Sequence, residues 1–134
     1  MAVFSHNGRR IAYQSEFAPF AHDLLLLHSS QFNASFWRPV LEALRCEPPA
    51  SGRVITCDWQ DEKRGVEGMA EDLNALMRTL GLQSVHVVAC GDAAAVAGDI
   101  SRQSPSRFTN VLFYPRAVPD KEDLIAAIRE FAQI

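Results

Sequence analysis

The chain has 134 residues, room for one domain with a real core but little for a complete α/β enzyme. Its 48% hydrophobic and 22% charged residues are ordinary globular composition and exclude a disordered chain. A net charge of -3 leaves no electrostatic footprint for nucleic acid or an anionic membrane.

In chain order, "MAVFSHNGRRIAYQSE" reads as two short strands joined at Asn7-Gly8, a strong hairpin signal. The start lacks the apolar stretch of a secretory signal, so a cytoplasmic location is the expectation. No apolar run reaches the ~20 residues of a membrane helix. "DLLLLH" is continuous apolar sequence, as in a strand buried on both faces. Phe36, Trp37, Val40, Leu41 and Leu44 mark one helical face, with Pro39 tolerable in its first turn. "EPPASG" is a loop and "RVITCD" the next buried strand. Val66, Met69, Leu73, Leu76, Met77 and Leu80 then recur at helical spacing, and Gly81 follows where a helix terminus favours glycine. "SVHVVAC" reads as a strand, "DAAAVAGDISRQ" as a helix and "FTNVLFY" as a strand. Pro119-Asp120 opens a last helix facing inward with Leu124, Ile125, Ile128 and Phe131. Strands alternating with helices predict an α/β fold: a mostly parallel sheet of about six strands, helices on both faces.

Parallel sheets place ligands beyond the carboxyl ends of their strands. Those ends fall at His28-Ser29-Ser30, Cys57-Asp58-Trp59, Cys90-Gly91-Asp92 and Tyr114-Pro115-Arg116. A cleft containing His28, Ser29, Ser30, Asp58, Trp59 and Gly91 is therefore expected, with room for a small apolar ligand. Cys46, Cys57 and Cys90 are odd in number and lack metal-type spacing, which favours reduced thiols and no metal. No cofactor is called for.

The order of these segments resembles the α/β-hydrolase family over most of the chain. "GRRIAYQSE" is similar to its second strand, and "LLLLHSSQFNASFWRPVLEAL" to its strand, oxyanion loop and first helix. "RVITCDW" resembles the strand leading to the family's aspartate. "GMAEDLNALMRTLGLQSVHVVACGDAAAVA" resembles the helix, strand and nucleophile elbow without a gap, and "VPDKEDLIAAIREFAQI" the final helix. The resemblance implies a shortened hydrolase-like domain over residues 1–134.

The departures are chemical. The family's elbow reads G-x-S-x-G, with serine on a strained turn. Here Ala89 takes the first glycine, Gly91 the serine and Ala93 the second glycine. Glycine has no side chain to attack a substrate. No histidine follows His86, whereas the family's base lies on a loop before the final helix. His86 and Cys90 share a strand face but stand ~13 Å apart, beyond general-base reach. A Ser-His-Asp mechanism is not available within these residues.

Two side chains at the elbow remain as catalytic candidates. Asp92 matches the family's aspartate nucleophiles after a one-residue shift; its bland alternative is a carboxylate capping the next helix. Cys90, before a helix N-terminus, is a candidate for a lowered thiol pKa, against the alternative of a small apolar filler. His28 matches the family's oxyanion-loop histidine, an architectural residue, and Ser29 replaces its glycine. Trp37 and Trp59 read as core or cleft-wall aromatics. A different reading takes "ACGDAA" as a degenerate phosphate-binding glycine motif, but Asp92 would set a carboxylate beside the phosphate.

In the family the strand matching "FTNVLFY" is followed by further strands; here it is expected at the sheet edge, a liability unless covered. A homodimer through Phe108–Tyr114 or the helix Asp120–Ile134 is the simplest cover; the bland alternative is that the final helix of the same chain folds over the edge. The expectation is a degenerate hydrolase-like protein that binds or regulates. The alternative is a non-standard enzyme using Asp92, Cys90 or residues of a second subunit.

Overall fold

The computed structural model describes residues 2–6, 8–18, 22–29, 34–44, 52–58, 65–114 and 120–132. Six strands form one sheet: β1 (Ala2–His6), β2 (Arg9–Ala18), β3 (Asp23–Leu27), β4 (Gly52–Cys57), β5 (Val85–Cys90) and β6 (Phe108–Tyr114). Their spatial order is β1-β2-β4-β3-β5-β6. The first two form the expected antiparallel hairpin, closed at Gly8, whose φ of 77 needs a residue without Cβ. β2 also runs antiparallel to β4, while β4, β3, β5 and β6 are mutually parallel. The helices are α1 (Arg38–Leu44), α2 (Gly65–Thr79), α3 (Ala93–Gln103) and α4 (Lys121–Ala132).

Strand alternation sorts the apolar residues into two cores, one on each face. Leu25, Leu27, Ile55 and Val87 meet Leu73, Leu76, Val96 and Ile100 of α2 and α3. Leu24, Leu26, Val54 and Val88 meet Trp37, Val40, Leu41, Leu124 and Ile128 on the α1 and α4 side. "DLLLLH" reads continuously apolar because its leucines serve both cores, and all four are fully buried.

The helix ends follow their sequence signals. Gly81 adopts φ 75 after α2, and Leu82 N–H donates to the Met77 carbonyl at 3.0 Å, closing a Schellman-type end. The Asp120 carboxylate accepts from the N–H groups of Glu122 and Asp123 at 2.9 and 3.3 Å, capping α4. Two details depart from the sequence reading. A 3-10 turn, Ala34–Trp37, precedes α1, so the predicted helical face begins in a tighter coil. Val66 is exposed in the first turn of α2, before that helix meets the sheet. Of the loop predicted at "EPPASG", Gly52 opens β4, and the other five residues, with Cys46, lie outside the described residues.

Candidate functional site

The connections out of the parallel strands fix where a crevice opens. The segment leaving β3 leads to α1 on one face of the sheet, and the segment leaving β5 leads to α3 on the other. Chains diverging from neighbouring strand ends leave a gap between them, the topological switch point of an open α/β sheet. β3 and β5 are such neighbours, in register from Asp23↔Val85 to Leu27↔Ala89. The residues just beyond their carboxyl ends are His28-Ser29 and Gly91-Asp92. The structure brings Ser29 and Asp92 of these into contact.

Across this gap the Ser29 hydroxyl donates to Oδ1 of Asp92 at 3.0 Å. Ser29 is buried, while Asp92 is exposed. The contact corrects the expectation that Asp92 caps α3 with its side chain. Asp92 occupies the N-cap position, but its φ of -70 and ψ of -9 are helical and it makes no side-chain cap bond. An N-cap residue normally stays extended, so that its carboxylate folds back over the first free N–H groups. Here the backbone has already turned into the helix, and a buried hydroxyl from the adjacent strand end takes the carboxylate instead.

His28 is fully buried beside this pair. Its Nδ1 donates to the Ser29 carbonyl at 2.7 Å, which fixes the proton-bearing nitrogen on that side. Burial holds its pKa below the ordinary 6.5, against the opposing pull of the Ser29 carbonyl, Asp58, the Cys57 backbone and Asp92. The ring is therefore neutral at physiological pH, an architectural group. Asp58, half-buried at the end of β4, donates its own N–H to the Ala12 carbonyl at 2.9 Å. Ser30 and Trp59 of the predicted cleft lie outside the described residues, as do Pro115 and Arg116.

The elbow has its expected shape without its expected group. Gly91 adopts φ 58, in the left-handed region where an L side chain is strained. Its N–H donates to the Tyr114 carbonyl at 2.9 Å, tying the corner to β6, and Ala94 N–H returns to the Gly91 carbonyl at 3.2 Å. Cys90 overturns its expectation of a lowered pKa. It is the last residue of β5, its side chain packs into the α1/α4 core, and burial pushes the thiol up to about 11 despite nearby Lys121. A side chain pointing along the sheet face does not feel the helix N-terminus as an exposed thiol would. Cys57 is likewise buried, its thiol pushed up to about 12.

Sequence reasoning missed Lys121. Its ammonium donates to the Phe36 carbonyl at 3.0 Å and lies 3.2 Å from the centroid of the Phe36 ring, so α4 is clamped onto the 3-10 turn that precedes α1. Burial lowers its pKa, with Cys90 opposing. The available signal was a lysine in the first turn of a helix, where the dipole disfavours a cation unless something else holds it. At the opposite end of the strands, His86 stacks on His22 with centroids 4.3 Å apart, and its Nε2 accepts from the Asn110 side-chain amide at 3.1 Å. That histidine stands at the start of β5 and belongs to no cluster with Cys90.

No protein-family model matches the sequence, and no curated protein matches it either. Solved structures do. AqdC, described in recognition and ring-cleavage of the Pseudomonas quinolone signal, is similar in its product complex, with a TM-score of 0.72 and 20% identity over 96% of this chain and 51% of that one. Est816, an N-acyl homoserine lactone degrading enzyme, gives a TM-score of 0.70 and 17% identity over 96% of this chain and 52% of its own. The epoxide hydrolase VrEH1 from Vigna radiata gives 0.69 and 19% over 84% and 38%. At such identities the likeness is one of architecture. The chain has an α/β-hydrolase fold, of which it spans about half the length of the first two neighbours and 38% of the third.

Proposed function

We propose that this chain is a catalytically degenerate α/β-hydrolase-fold protein that binds a small, largely apolar ligand at the carboxyl ends of β3, β4 and β5. The observation that carries the reading is Gly91 at φ 58. The corner on which a hydrolase presents its nucleophile is retained, and the nucleophile is not. The surrounding groups support it. The Ser29 hydroxyl is committed to Asp92, the Cys90 thiol is protonated at neutral pH, and the buried His28 ring donates to the Ser29 carbonyl. None of these is a nucleophile paired with a base. The ligand class is taken from two structural neighbours, one acting on a quinolone signal and one on N-acyl homoserine lactones.

The test is an active-site titration of the purified chain with a fluorophosphonate and a thiol reagent, beside turnover of p-nitrophenyl esters. The reading requires no stoichiometric labelling in the native state and no turnover above a protein-surface background. Stoichiometric fluorophosphonate labelling with matching loss of esterase activity would overturn it.

A second reading rests on Asp92. Because its carboxylate is not spent on capping α3 and lies at the crevice, it is placed to act as a nucleophile or base. Under that reading Asp92→Asn abolishes an activity while leaving the unfolding midpoint almost unchanged.

A further inference from the structure

A second concave site lies at the amino end of β4, away from the crevice at Ser29 and Asp92. Directly opposed residues of an antiparallel pair share one face of the sheet. β2 and β4 set Tyr13 opposite Cys57, Ser15 opposite Ile55 and Phe17 opposite Arg53. Cys57 and Ile55 belong to the core beneath α2 and α3, so Tyr13, Ser15, Phe17 and Arg53 lie on that side. α2 ends at Thr79. Past its end, Tyr13, Ser15, Arg53 and Leu80, with Ala2 and Gln14, line a cleft of about 510 Å³. That volume falls within the range of small-molecule sites.

Arg53 is the chemical centre of the cleft. Its backbone N–H donates to Oδ1 of Asp23 at 2.9 Å, and its Nη2 donates to the Leu80 carbonyl at 3.1 Å. These two bonds lay the half-buried side chain across the end of α2 and fix the plane of its guanidinium. The carbonyl there has its donor, and the Asp23 carboxylate is occupied by the backbone. A guanidinium carries five N–H groups and no acceptor. Apart from the bond to Leu80, those of Arg53 have no acceptor among the described residues. The hydroxyls of Tyr13 and Ser15 also have no partner among the described residues. No Asp or Glu lines the cleft, and Arg53 is its one charged lining residue.

We propose that this cleft binds a small organic monocarboxylate, its carboxylate on the free N–H groups of Arg53 and its apolar body along the Tyr13 ring and Leu80. A planar fork with spare donors matches a carboxylate in two-point contact. The Tyr13 and Ser15 hydroxyls supply further donors on the same face. One lining cation offsets one negative charge, which favours a carboxylate over a phosphate dianion. Phe17, 67% exposed and paired with Arg53 across the ladder, extends the apolar wall. The site is independent of the elbow and of whether the elbow retains chemistry.

Backbone-amide NMR titration of the 134-residue chain with benzoate, benzamide and inorganic phosphate tests this. Benzoate should shift the Ser15 and Arg53 signals saturably, with a Kd of about 1 mM. Benzamide, the neutral counterpart, and phosphate should each bind at least ~10-fold more weakly. Arg53→Gln should weaken benzoate by ~10-fold or more, and Tyr13→Phe and Ser15→Ala by ~2- to 10-fold each. Arg53→Gln also loses the Leu80 contact, so the two hydroxyl variants, which break no bond among the described residues, carry the test if it unfolds. Benzoate shifts absent up to ~10 mM, or centred away from Ser15 and Arg53, would overturn the proposal. So would benzamide or phosphate binding as tightly as benzoate, or full affinity in both hydroxyl variants.

Discussion

Replacing Asp92 by alanine should destabilise the fold more than replacing its partner Ser29, although both remove the same hydrogen bond. The asymmetry comes from burial. Ser29 is buried and Asp92 is exposed, and the bond between them is 3.0 Å long. In Ser29→Ala the carboxylate is left in water, which solvates it, so the loss is about 0.5 kcal/mol, the low end for one hydrogen bond. In Asp92→Ala the hydroxyl loses this acceptor inside the protein, which costs about 1–2 kcal/mol. Removing a negative charge from the start of α3 adds about 0.5 kcal/mol. Asp92→Asn keeps an acceptor oxygen and loses only the charge, so it should cost about 0.5 kcal/mol. Urea unfolding of the two single alanine variants and the double variant closes a cycle whose coupling should be about 1 kcal/mol. In thermal scans the expected order is Asp92→Ala lowest, by ~5 °C or more. A coupling below ~0.3 kcal/mol, within the usual additivity error, would mean that the contact does not hold the two strand ends together. Asp92→Ala costing no more than Ser29→Ala would refute the burial argument itself.

Gly91→Ser should destabilise by about 1–2 kcal/mol, the cost of an L side chain at a left-handed φ, and should leave p-nitrophenyl ester turnover at background; an active variant would show that a base serves position 91, against the degenerate reading. Cys57 and Cys90 should resist iodoacetamide in the native protein at pH 8 and react after denaturation, with mass spectrometry locating the label. Because burial raises both thiols from an ordinary 9.0 to about 12 and about 11, the folded state holds protons that the unfolded chain releases. Stability should therefore be intact below pH 9 and fall as pH rises toward 11, and Cys57→Ser should flatten that fall in urea titrations. His28 has the opposite sign. Its lowered pKa means that the unfolded chain binds the proton first, so stability should fall as pH drops below 6.5, less so in His28→Gln.

Most of the architecture was legible because it rests on local periodicity. Leu24 and Leu26 against Leu25 and Leu27 divide between two cores by strand alternation alone, and Gly8, Gly81 and Asp120 end their elements as their chemistry dictates. The site was legible only as an address. That Ser29 and Asp92 lie at strand ends could be read, but not that they touch, since 63 residues separate them and only the order β3-β5 makes them neighbours. Asp92 shows the physical cause of such misses. Its residue type and position favour a cap, yet a tertiary hydroxyl outcompetes the free N–H groups of the helix. Cys90 misled for a related reason. Its place before a helix suggested an activated thiol, whereas the parity of β5 turns the sulfur into the core beside Lys121. Lys121 itself was invisible because its partner, Phe36, lies 85 positions away.

The corner at Gly91 is held by its surroundings rather than by the side chain it carries. A strained φ at a nucleophile persists only where the surrounding structure enforces it. Here Gly91 N–H holds β6 through Tyr114, and Ala93, Val96 and Ala97 bury the start of α3 against the sheet. The corner is thus a structural joint of β5, β6 and α3, whatever side chain it carries. Glycine meets the same backbone demand without the penalty that serine incurs. Beside the corner, the Ser29 hydroxyl and the Asp92 carboxylate tie the end of β3 to the start of α3, so the joint extends to the neighbouring strand.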